Sequence, residues 1–379
     1  MSDTEIHKGL NGVVVDETTV SKVDAASNSL LYRGYPVQQL AGHVPFEDVV
    51  QLLWRGELPS DGERAEFLRS ERGARALDPH VRAAVDSLPR SAHPMDVLRT
   101  AISAIGAHDS EPASPTPDQT YERALRVLAQ TPAVIAYDQR RRRGQEPLES
   151  RDDLGYSANF LWLVFGEEPD PADVHAFDVS MTLYAEHSFN ASTFTARVIA
   201  STLSDLHSAL VGAVGALRGP LHGGANEMAL ALLDEIHDAD RVDAWLGEAL
   251  AQKRTLMGFG HRVYKNGDSR VPTMEEALGR LLEARPGSES DRLGELYEAL
   301  QRGVLERKNL KPNVDYPSGL AYHLLGFDTP VFTPLFVAAR IAGWTAHVVE
   351  QRSANALIRP LSEYVGEPYR EVEVTTVDA

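Results

Sequence analysis

The 379-residue sequence contains no cysteine. Without a thiol, the chain cannot form disulfides, thiolate metal sites or a cysteine nucleophile. It also lacks any apolar run approaching the roughly 20 residues that a membrane-spanning helix needs. The first residues do not have the basic and then apolar layout of a signal peptide, so we expect a cytoplasmic protein with no membrane partner.

Lysine is nearly as scarce, since only six occur and arginine supplies the rest of the 37 basic residues. Because 55 residues are acidic, the net charge is −18, which argues against nucleic acid and anionic membranes as partners. An acidic, lysine-poor chain is typical of proteins that stay soluble at high salt, and we interpret it as halophilic. The alternative is an ordinary acidic protein whose GC-rich genome favours arginine codons.

Strand signals are also few. The β-branched residues of segments 12–15 and 18–21 predict a short N-terminal β-hairpin, and no alternating strand follows it. Helical periodicity dominates the remainder, in segments 46–54, 94–107, 121–130, 132–143, 155–165, 171–186 and 192–215. The predicted fold class is therefore mainly α.

The length of the chain predicts about two domains, because one ordinary core rarely grows this large. Breaks near residues 219–220 and 317–319 enclose a more charged block. We therefore predict a larger domain made of residues 1–219 and 326–379, with residues 220–325 inserted as a smaller domain.

A glycine-rich loop at residues 219–227 contains His222 and leads into a helical stretch at 228–237. Glycines let a loop approach a ligand closely. A histidine at a helix N-terminus experiences a positive potential, which lowers its pKa and keeps the ring neutral, so that it can donate a hydrogen bond to an oxyanion. The alternative for this histidine alone is a cap in a tight turn.

Residues 253–270 contain His261, several glycines, five cations and one anion in an otherwise acidic chain. Such a stretch is either an anion-binding loop or a solvated surface. Four of the six lysines lie here and in residues 307–319. We infer that both stretches face one polyanion, such as a phosphorylated cofactor.

Asp315 lies in the second of these stretches, where apolar neighbours make a carboxylate a stronger base, although an Asx-turn or helix cap is the alternative. Arg340 lies within an apolar helix and therefore needs an anion, either a ligand or a structural carboxylate. Two further motifs, at residues 186–197 and 357–360, contain His187 and Arg359.

Together these segments resemble the citrate synthase family. The resemblance rests on Gly-Pro-Leu-His-Gly-Gly-Ala-Asn at 219–226, Gly-Phe-Gly-His-Arg-Val-Tyr-Lys at 258–265, Asn-Val-Asp-Tyr-Pro-Ser-Gly at 313–319 and Glu-His-Ser-Phe-Asn-Ala-Ser-Thr at 186–193. The order and approximate spacing are those of the family, and the resemblance covers nearly the whole chain. It implies a two-domain helical fold of the compact, dimeric archaeal and bacterial type.

The resemblance also implies roles. His222 would hydrogen-bond the thioester oxygen, Asp315 would remove a proton from the acetyl methyl, and His261 would bind the carbonyl of oxaloacetate. The implied oxaloacetate ligands are His187, Arg270, Arg340 and Arg359, the last contributed across a homodimer interface. The implied CoA-binding residues are Thr255, Leu256, Met257, Gly258, Phe259, Gly260 and Lys265, to which the lysine distribution adds Lys308 and Lys311. Acetyl-CoA is a co-substrate, and neither a metal nor a tightly bound cofactor is implied.

The implied reaction condenses acetyl-CoA with oxaloacetate to citryl-CoA and then hydrolyses it to citrate and CoA. The main alternative is 2-methylcitrate synthesis from propionyl-CoA, because one extra methyl is worth only about 1–3 kcal/mol in a pocket. A citryl-CoA lyase module normally accompanies ligase domains, for which 379 residues leave no room. A catalytically inactive regulator would be expected to lose His222, His261 or Asp315, and all three are present.

Overall fold

The computed structural model describes residues 6–24, 27–110, 112, 114–261, 263–264 and 266–372. Lys265 lies outside the described residues, so its contact with CoA stays a prediction. Near the N-terminus, strands β1 (Ser21–Asp24), β2 (Ser29–Tyr32) and β3 (Tyr35–Pro36) form an antiparallel sheet in that order.

Helices form most of the described chain, which confirms the mainly α prediction. They are α1 (Val37–Leu40), α2 (Phe46–Arg55), α3 (Asp61–Gly73), α4 (Pro79–Asp86), α5 (Pro94–Ala107), α6 (Pro117–Arg143), α7 (Tyr156–Phe165), α8 (Pro171–Tyr184), α9 (Ala191–Ser201), α10 (Leu206–Leu217), α11 (Ala225–Ile236), α12 (Val242–Ala251), α13 (Val271–Ala284), α14 (Ser288–Lys308), α15 (Asp315–Leu324) and α16 (Phe332–Ser353).

The predicted hairpin has the wrong strands. Segment 12–15 is not a strand, and Val14 is 88% exposed, so its β-branched side chain finds no neighbour to pack against. The hairpin instead pairs β1 with β2, with Ser21 opposite Tyr32. Leu30 and Tyr32 of β2 are fully buried, and strand pairing follows this buried face rather than β-branching alone.

The two helices predicted around Pro132 are one continuous helix, α6. A proline inside a helix has no N–H and leaves the carbonyl four residues earlier without its partner. Here that carbonyl belongs to Leu128, and the Tyr156 hydroxyl donates to it at 3.2 Å. The replacement hydrogen bond lets α6 run through the proline.

The long helix predicted over residues 192–215 is two helices, α9 and α10. Leu203 adopts a left-handed conformation with φ of 64°, which ends the first helix. The Asp205 side chain then accepts a hydrogen bond from the Ser208 amide at 2.8 Å and caps the second helix.

Helix α16 forms the centre of the molecule. It packs against α2, α5, α6, α8, α9, α10 and α11. By length and apolarity the segment Thr329–Ser353 could cross a membrane, yet its apolar window is entirely buried inside the protein. Burial of this kind is that of a core helix.

The inserted-domain boundaries stay a prediction. Helices α11 to α15 contact one another, and α13 and α15 also pack against α8. A single cluster of buried apolar side chains extends through both predicted domains. The candidate site lies where α11 to α15 meet α8 and α16.

Candidate active site

The loop that contains His261 is joined to the segment that precedes Asp315. The amide of Gly260 donates to the Lys311 carbonyl at 2.8 Å, and the Asn313 amide donates to the Gly258 carbonyl at 2.9 Å. Gly258 has φ of +85°, and a Cβ there would lie 3.2 Å from the Tyr316 ring, so both conformation and space favour glycine. These bonds hold the two basic stretches together, while their common polyanion stays a prediction.

Asp315 is the first residue of α15. The side chain of Asn313 accepts a hydrogen bond from its amide at 3.1 Å, and the Tyr184 hydroxyl donates to its Oδ1 at 2.6 Å. Burial raises the pKa of Asp315 to about 6, although the Tyr184 hydrogen bond and the charge of Arg270 lower it. The carboxylate is therefore ionised at neutral pH and more basic than an ordinary aspartate.

His222 lies in the tight turn before α11. Its Nε2 is 3.2 Å from the amide of Ser192 and 2.8 Å from the Ser192 Oγ. A backbone amide can only donate, so Nε2 accepts and the proton of the neutral ring is on Nδ1. Burial, followed by the charge of Arg340, lowers the pKa of His222 to about 4. The predicted neutral ring is thus supported, but its main cause is burial rather than a helix N-terminus.

His261 has the opposite arrangement. Its Nδ1 accepts from the amides of Val263 at 3.0 Å and Tyr264 at 3.2 Å, so the proton of the neutral ring is on Nε2. Burial and the charge of Arg270 lower the pKa of His261 to about 4. Both histidines are therefore neutral hydrogen-bond donors at pH 7.

Arg270 and His187 line the same region as His261. The Arg270 guanidinium makes two hydrogen bonds to Asp268, from Nε at 2.9 Å and from Nη2 at 2.7 Å. Although burial favours the neutral acid, Arg270 lowers the pKa of Asp268 below its usual value. The rings of His187 and His261 lie 5.3 Å apart, and the buried Nε2 of His187 has no hydrogen-bond partner within the described part of the chain.

Arg340 is buried in the middle of α16, as predicted. Its Nε donates to the Tyr184 carbonyl at 2.6 Å, and its guanidinium lies 4.6 Å from the Phe336 ring centroid. Burial lowers the pKa of Arg340 to about 10. Over residues 6–372, wherever the chain is described, it forms no ion pair with a carboxylate, and its buried Nη1 has no partner. This favours a ligand anion over the structural carboxylate that was the alternative.

The turn that follows α8 positions His187. The Tyr32 hydroxyl accepts from the Glu186 amide at 3.1 Å, and Glu186 accepts from Ser21 Oγ at 2.9 Å. On the other side, α16 approaches so closely at Gly343 that a Cβ there would lie 2.2 Å from Glu186 Oε2. The sheet and the central helix therefore fix this turn from two sides.

A family model described as the C-terminal domain of citrate synthase matches residues 9–361. The chain belongs to the citrate synthase family. As a member of a family of condensing transferases, it is an enzyme.

Two relatives of this citrate synthase family member have different names. The chain is 52% identical over 367 residues to the citrate synthase of Mycolicibacterium smegmatis, covering 97% of each chain. It is also 52% identical over 366 residues to a 2-methylcitrate synthase of Mycobacterium tuberculosis, covering 97% of this chain and 92% of the other. Identity at this level does not separate the two names.

Among solved structures, the chain is similar to the ternary complex of carboxymethyl coenzyme A and oxaloacetate with the citrate synthase of Thermoplasma acidophilum. The TM-score is 0.89 at 31% identity, and the match covers 97% of this chain and 98% of that one. Among the described residues of the present chain, no group of three or more histidines and carboxylates is arranged to hold a metal ion.

Other sequence-predicted residues lie outside this cluster of side chains. Arg359 is exposed in the extended segment after α16 and does not reach the cluster within its own chain. Lys308 is exposed at the end of α14, and Lys311 donates to the Asn266 carbonyl at 3.0 Å. Lys311 also lines a cavity of about 430 Å³.

The remaining predicted CoA contacts lie before His261. Thr255 is exposed, whereas the following residues are buried or half-buried beside α15: Leu256, Met257, Gly258, Phe259 and Gly260. Phe259 pairs with Pro312 in an isolated antiparallel bridge. Exposure to solvent in this segment is thus confined to its first residue.

Sequence reasoning missed two residues that contact the catalytic candidates. Ser192 lies within a motif that was recognised, and Asn190 before it caps α9, yet nothing local ties Ser192 to His222. Tyr184 is 131 residues from Asp315, and no periodicity in the sequence connects them. Both contacts depend on the tertiary fold.

Proposed function

We propose that the protein condenses oxaloacetate with the acetyl group of acetyl-CoA and then hydrolyses citryl-CoA to citrate and CoA. One observation carries this proposal. A basic carboxylate lies with two neutral histidines, and each histidine has its proton on a different ring nitrogen. Asp315 supplies the base, while His222 donates from Nδ1 and His261 from Nε2.

The α-proton of a thioester is weakly acidic, so a carboxylate alone is insufficient. Asp315 removes the proton from the acetyl methyl as the His222 Nδ1–H stabilises the oxygen of the forming enol. The enol carbon then attacks the ketone of oxaloacetate, and the His261 Nε2–H donates to the oxygen that becomes the hydroxyl. Water hydrolyses the resulting thioester and releases CoA.

Oxaloacetate carries two carboxylates, which fixed cations can bind and orient without a metal. The unpartnered Nη1 of Arg340, together with Arg270, suits this role. Burial lowers the pKa of His187, so its unpartnered Nε2 adds a contact from a neutral ring. In this proposal Arg359 comes from a second copy of the chain. The same segment exposes several large apolar side chains, and a group of this kind marks a protein interface, which supports such a dimer. These residues are Leu361, Tyr364, Val365, Tyr369 and Val372.

A mixing experiment tests the shared site. Asp315→Asn and Arg359→Ala subunits should each be inactive alone, whereas hybrid dimers contain one intact site and should recover activity. No recovery after unfolding and refolding the mixture would place Arg359 in its own subunit's site.

We also infer that residues 220–325 form the smaller domain and close over oxaloacetate before acetyl-CoA binds. Closure keeps water from the enol and completes the CoA site, in which we place residues 255–260, Lys308 and Lys311. The cavity beside Lys311 supports a ligand on this side.

The direct test of the reaction is the release of free CoA thiol. We expect release from acetyl-CoA only when oxaloacetate is present, at low or at multimolar KCl; a rate that needs multimolar KCl would support the halophilic interpretation. No release from any acyl-CoA under either condition would contradict the proposed reaction.

The second candidate is 2-methylcitrate synthesis from propionyl-CoA. The Mycobacterium tuberculosis relative with that name is as similar as the Mycolicibacterium smegmatis citrate synthase. The same thiol assay with propionyl-CoA decides between them, because the ratio of the two kcat/KM values defines specificity.

A further inference from the structure

Tyr184 connects the two halves of the site. Its hydroxyl donates to Asp315 Oδ1 at 2.6 Å, and its backbone carbonyl accepts from Arg340 Nε at 2.6 Å. We propose that Tyr184 is the positioning residue of the base: it occupies one carboxylate oxygen of Asp315 and leaves Oδ2 to take the α-proton of the acyl thioester. This inference rests on the proposed function.

The position of Tyr184 is itself well defined. It is the last residue of α8 and is 1% exposed, and its ring lies 4.4 Å from that of Phe336. The hydroxyl of Tyr32 lies 3.0 Å from the Thr182 carbonyl and 2.9 Å from the Glu186 carbonyl, and so fixes the end of α8 and the turn after it. A side chain held at its backbone, ring and hydroxyl has little freedom to release the carboxylate.

The hydrogen bond determines which oxygen can act as base. A phenol has one proton, and a short O–H···O⁻ bond to a carboxylate is among the stronger hydrogen bonds in proteins. Because Oδ1 accepts this proton, the lone pairs of Oδ2 are the ones left to abstract another. Burial, and then the charge of Asp315, raise the pKa of Tyr184 well above 10, so it stays a donor over the working range.

The hydrogen bond also limits how basic Asp315 becomes. Burial raises the pKa of Asp315, whereas Tyr184 on α8, Arg270 before α13 and Arg340 on α16 lower it, and Asp268 raises it. Tyr184 has the largest lowering effect of these neighbours. Without the hydrogen bond from Tyr184, the pKa of Asp315 would be higher and less of the carboxylate would be ionised at neutral pH.

Tyr184→Phe tests this role. We expect kcat to fall by roughly ten- to a hundredfold, the value of a hydrogen bond to a charged group. The acidic limb of the pH profile should move above pH 6, and the KM for oxaloacetate should change little. Tyr322→Phe is the matched control, because Tyr322 is equally buried on α15 and its hydroxyl faces Ser180; it should change neither quantity.

A readout without turnover separates this proposal from the proposed function. The carboxyl stretch of Asp315, isolated as the infrared difference between wild type and Asp315→Asn, gives its pKa whatever the substrate. In Tyr184→Phe this pKa should rise by about one or more, and an unchanged value would overturn the proposal even if the enzyme turns over acetyl-CoA. If the wild type released no thiol but the Asp315 band still shifted in Tyr184→Phe, the proposed function would be rejected and the hydrogen-bond role would be retained.

A second variant covers the case in which Tyr184→Phe fails to fold. Site-specific 3,5-difluorotyrosine at position 184 keeps the ring and the hydroxyl but is a stronger donor. The pKa of Asp315 and the acidic limb should then move down, opposite to the phenylalanine variant. A shift in the same direction for both substitutions, or none for difluorotyrosine, would contradict a positioning role.

Discussion

His222 and His261, the two proposed catalytic histidines, both have a lowered pKa, but different parts of the chain select which ring nitrogen donates. The two amides that donate to His261 belong to its own loop, only two and three residues away. The amide that donates to His222 belongs to Ser192 on α9, thirty residues earlier. The donor nitrogen of His261, on the proposed ketone side, is therefore selected by its own loop, whereas that of His222, on the proposed acyl side, depends on tertiary packing.

The largest expected effect comes from removing the base on the acyl side. Asp315→Asn should lower kcat by roughly 10²–10⁴-fold, because proton abstraction is lost, while oxaloacetate binding stays close to that of wild type. Thiol release and calorimetric titration with oxaloacetate measure the two quantities. Asp291→Asn, at an exposed position on α14, is the control; lost oxaloacetate binding in Asp315→Asn would assign the residue to the other side.

The pH dependence of kcat should distinguish Asp315 from the two histidines. Since the pKa of Asp315 is raised to about 6, its active carboxylate form is lost as the pH falls, and the rate should drop about tenfold per pH unit below 6. With pKa values of about 4, His222 and His261 stay neutral over this interval. The acidic limb of kcat measured between pH 5 and 8 should thus follow one proton, and a slope of two would mean that a histidine also titrates.

The ketone side can be disturbed by itself through α16. Gly343→Ala would bring a Cβ within 2.2 Å of Glu186 Oε2 and 2.5 Å of the Ala185 carbonyl, displacing the turn that positions His187. We expect roughly 1–3 kcal/mol of lost stability and about a tenfold higher KM for oxaloacetate, with a smaller change for acetyl-CoA.

Gly215→Ala on α10 is the matched control, because a Cβ there meets open space. It should be neutral or slightly stabilising in thermal unfolding and should leave both KM values unchanged. An equal rise of both KM values in Gly343→Ala would show that the two sides are not independent at this helix.

The smallest effect is expected at Lys308 and Lys311, the lysines that we propose to face CoA. Replacing Lys308 and Lys311 with Gln should raise the KM for acetyl-CoA roughly two- to fivefold, because each removes an exposed charge that salt screens. The KM for oxaloacetate should not change, and Lys22→Gln on β1 should alter neither value. Equal rises for both substrates would refute the polyanion inference.

Signals that act over a few residues were predictable from the sequence. The bounds of α5 match its amphipathic segment, and the loops around His222 and His261 were recognised from their glycines and charge. The prediction failed where a remote partner decides the structure. Pro132 does not end α6 because Tyr156 replaces the lost bond, and no local pattern reveals this.

The same limit applies to the site. The chemistry of Asp315 was predictable as a residue type, but its partner Tyr184 depends on α8 and α15 meeting 131 residues apart. The hairpin was predicted with the wrong strands for the same reason, because β1 and β2 pair through a buried face that residue composition does not reveal. Halophilic origin and cytoplasmic location stay predictions.

The measurement that tests the division between the two histidines most directly is deuterium exchange into the methyl of acetyl-CoA, followed by NMR in D₂O with saturating L-malate. Malate has two carboxylates but no ketone, so exchange reports proton abstraction without condensation. We expect His222→Ala to slow exchange by roughly 10²-fold or more, as for loss of an oxyanion donor, and His261→Ala to retain it while losing condensation with oxaloacetate. Equal loss of exchange in both variants, or loss only in His261→Ala, would contradict the division.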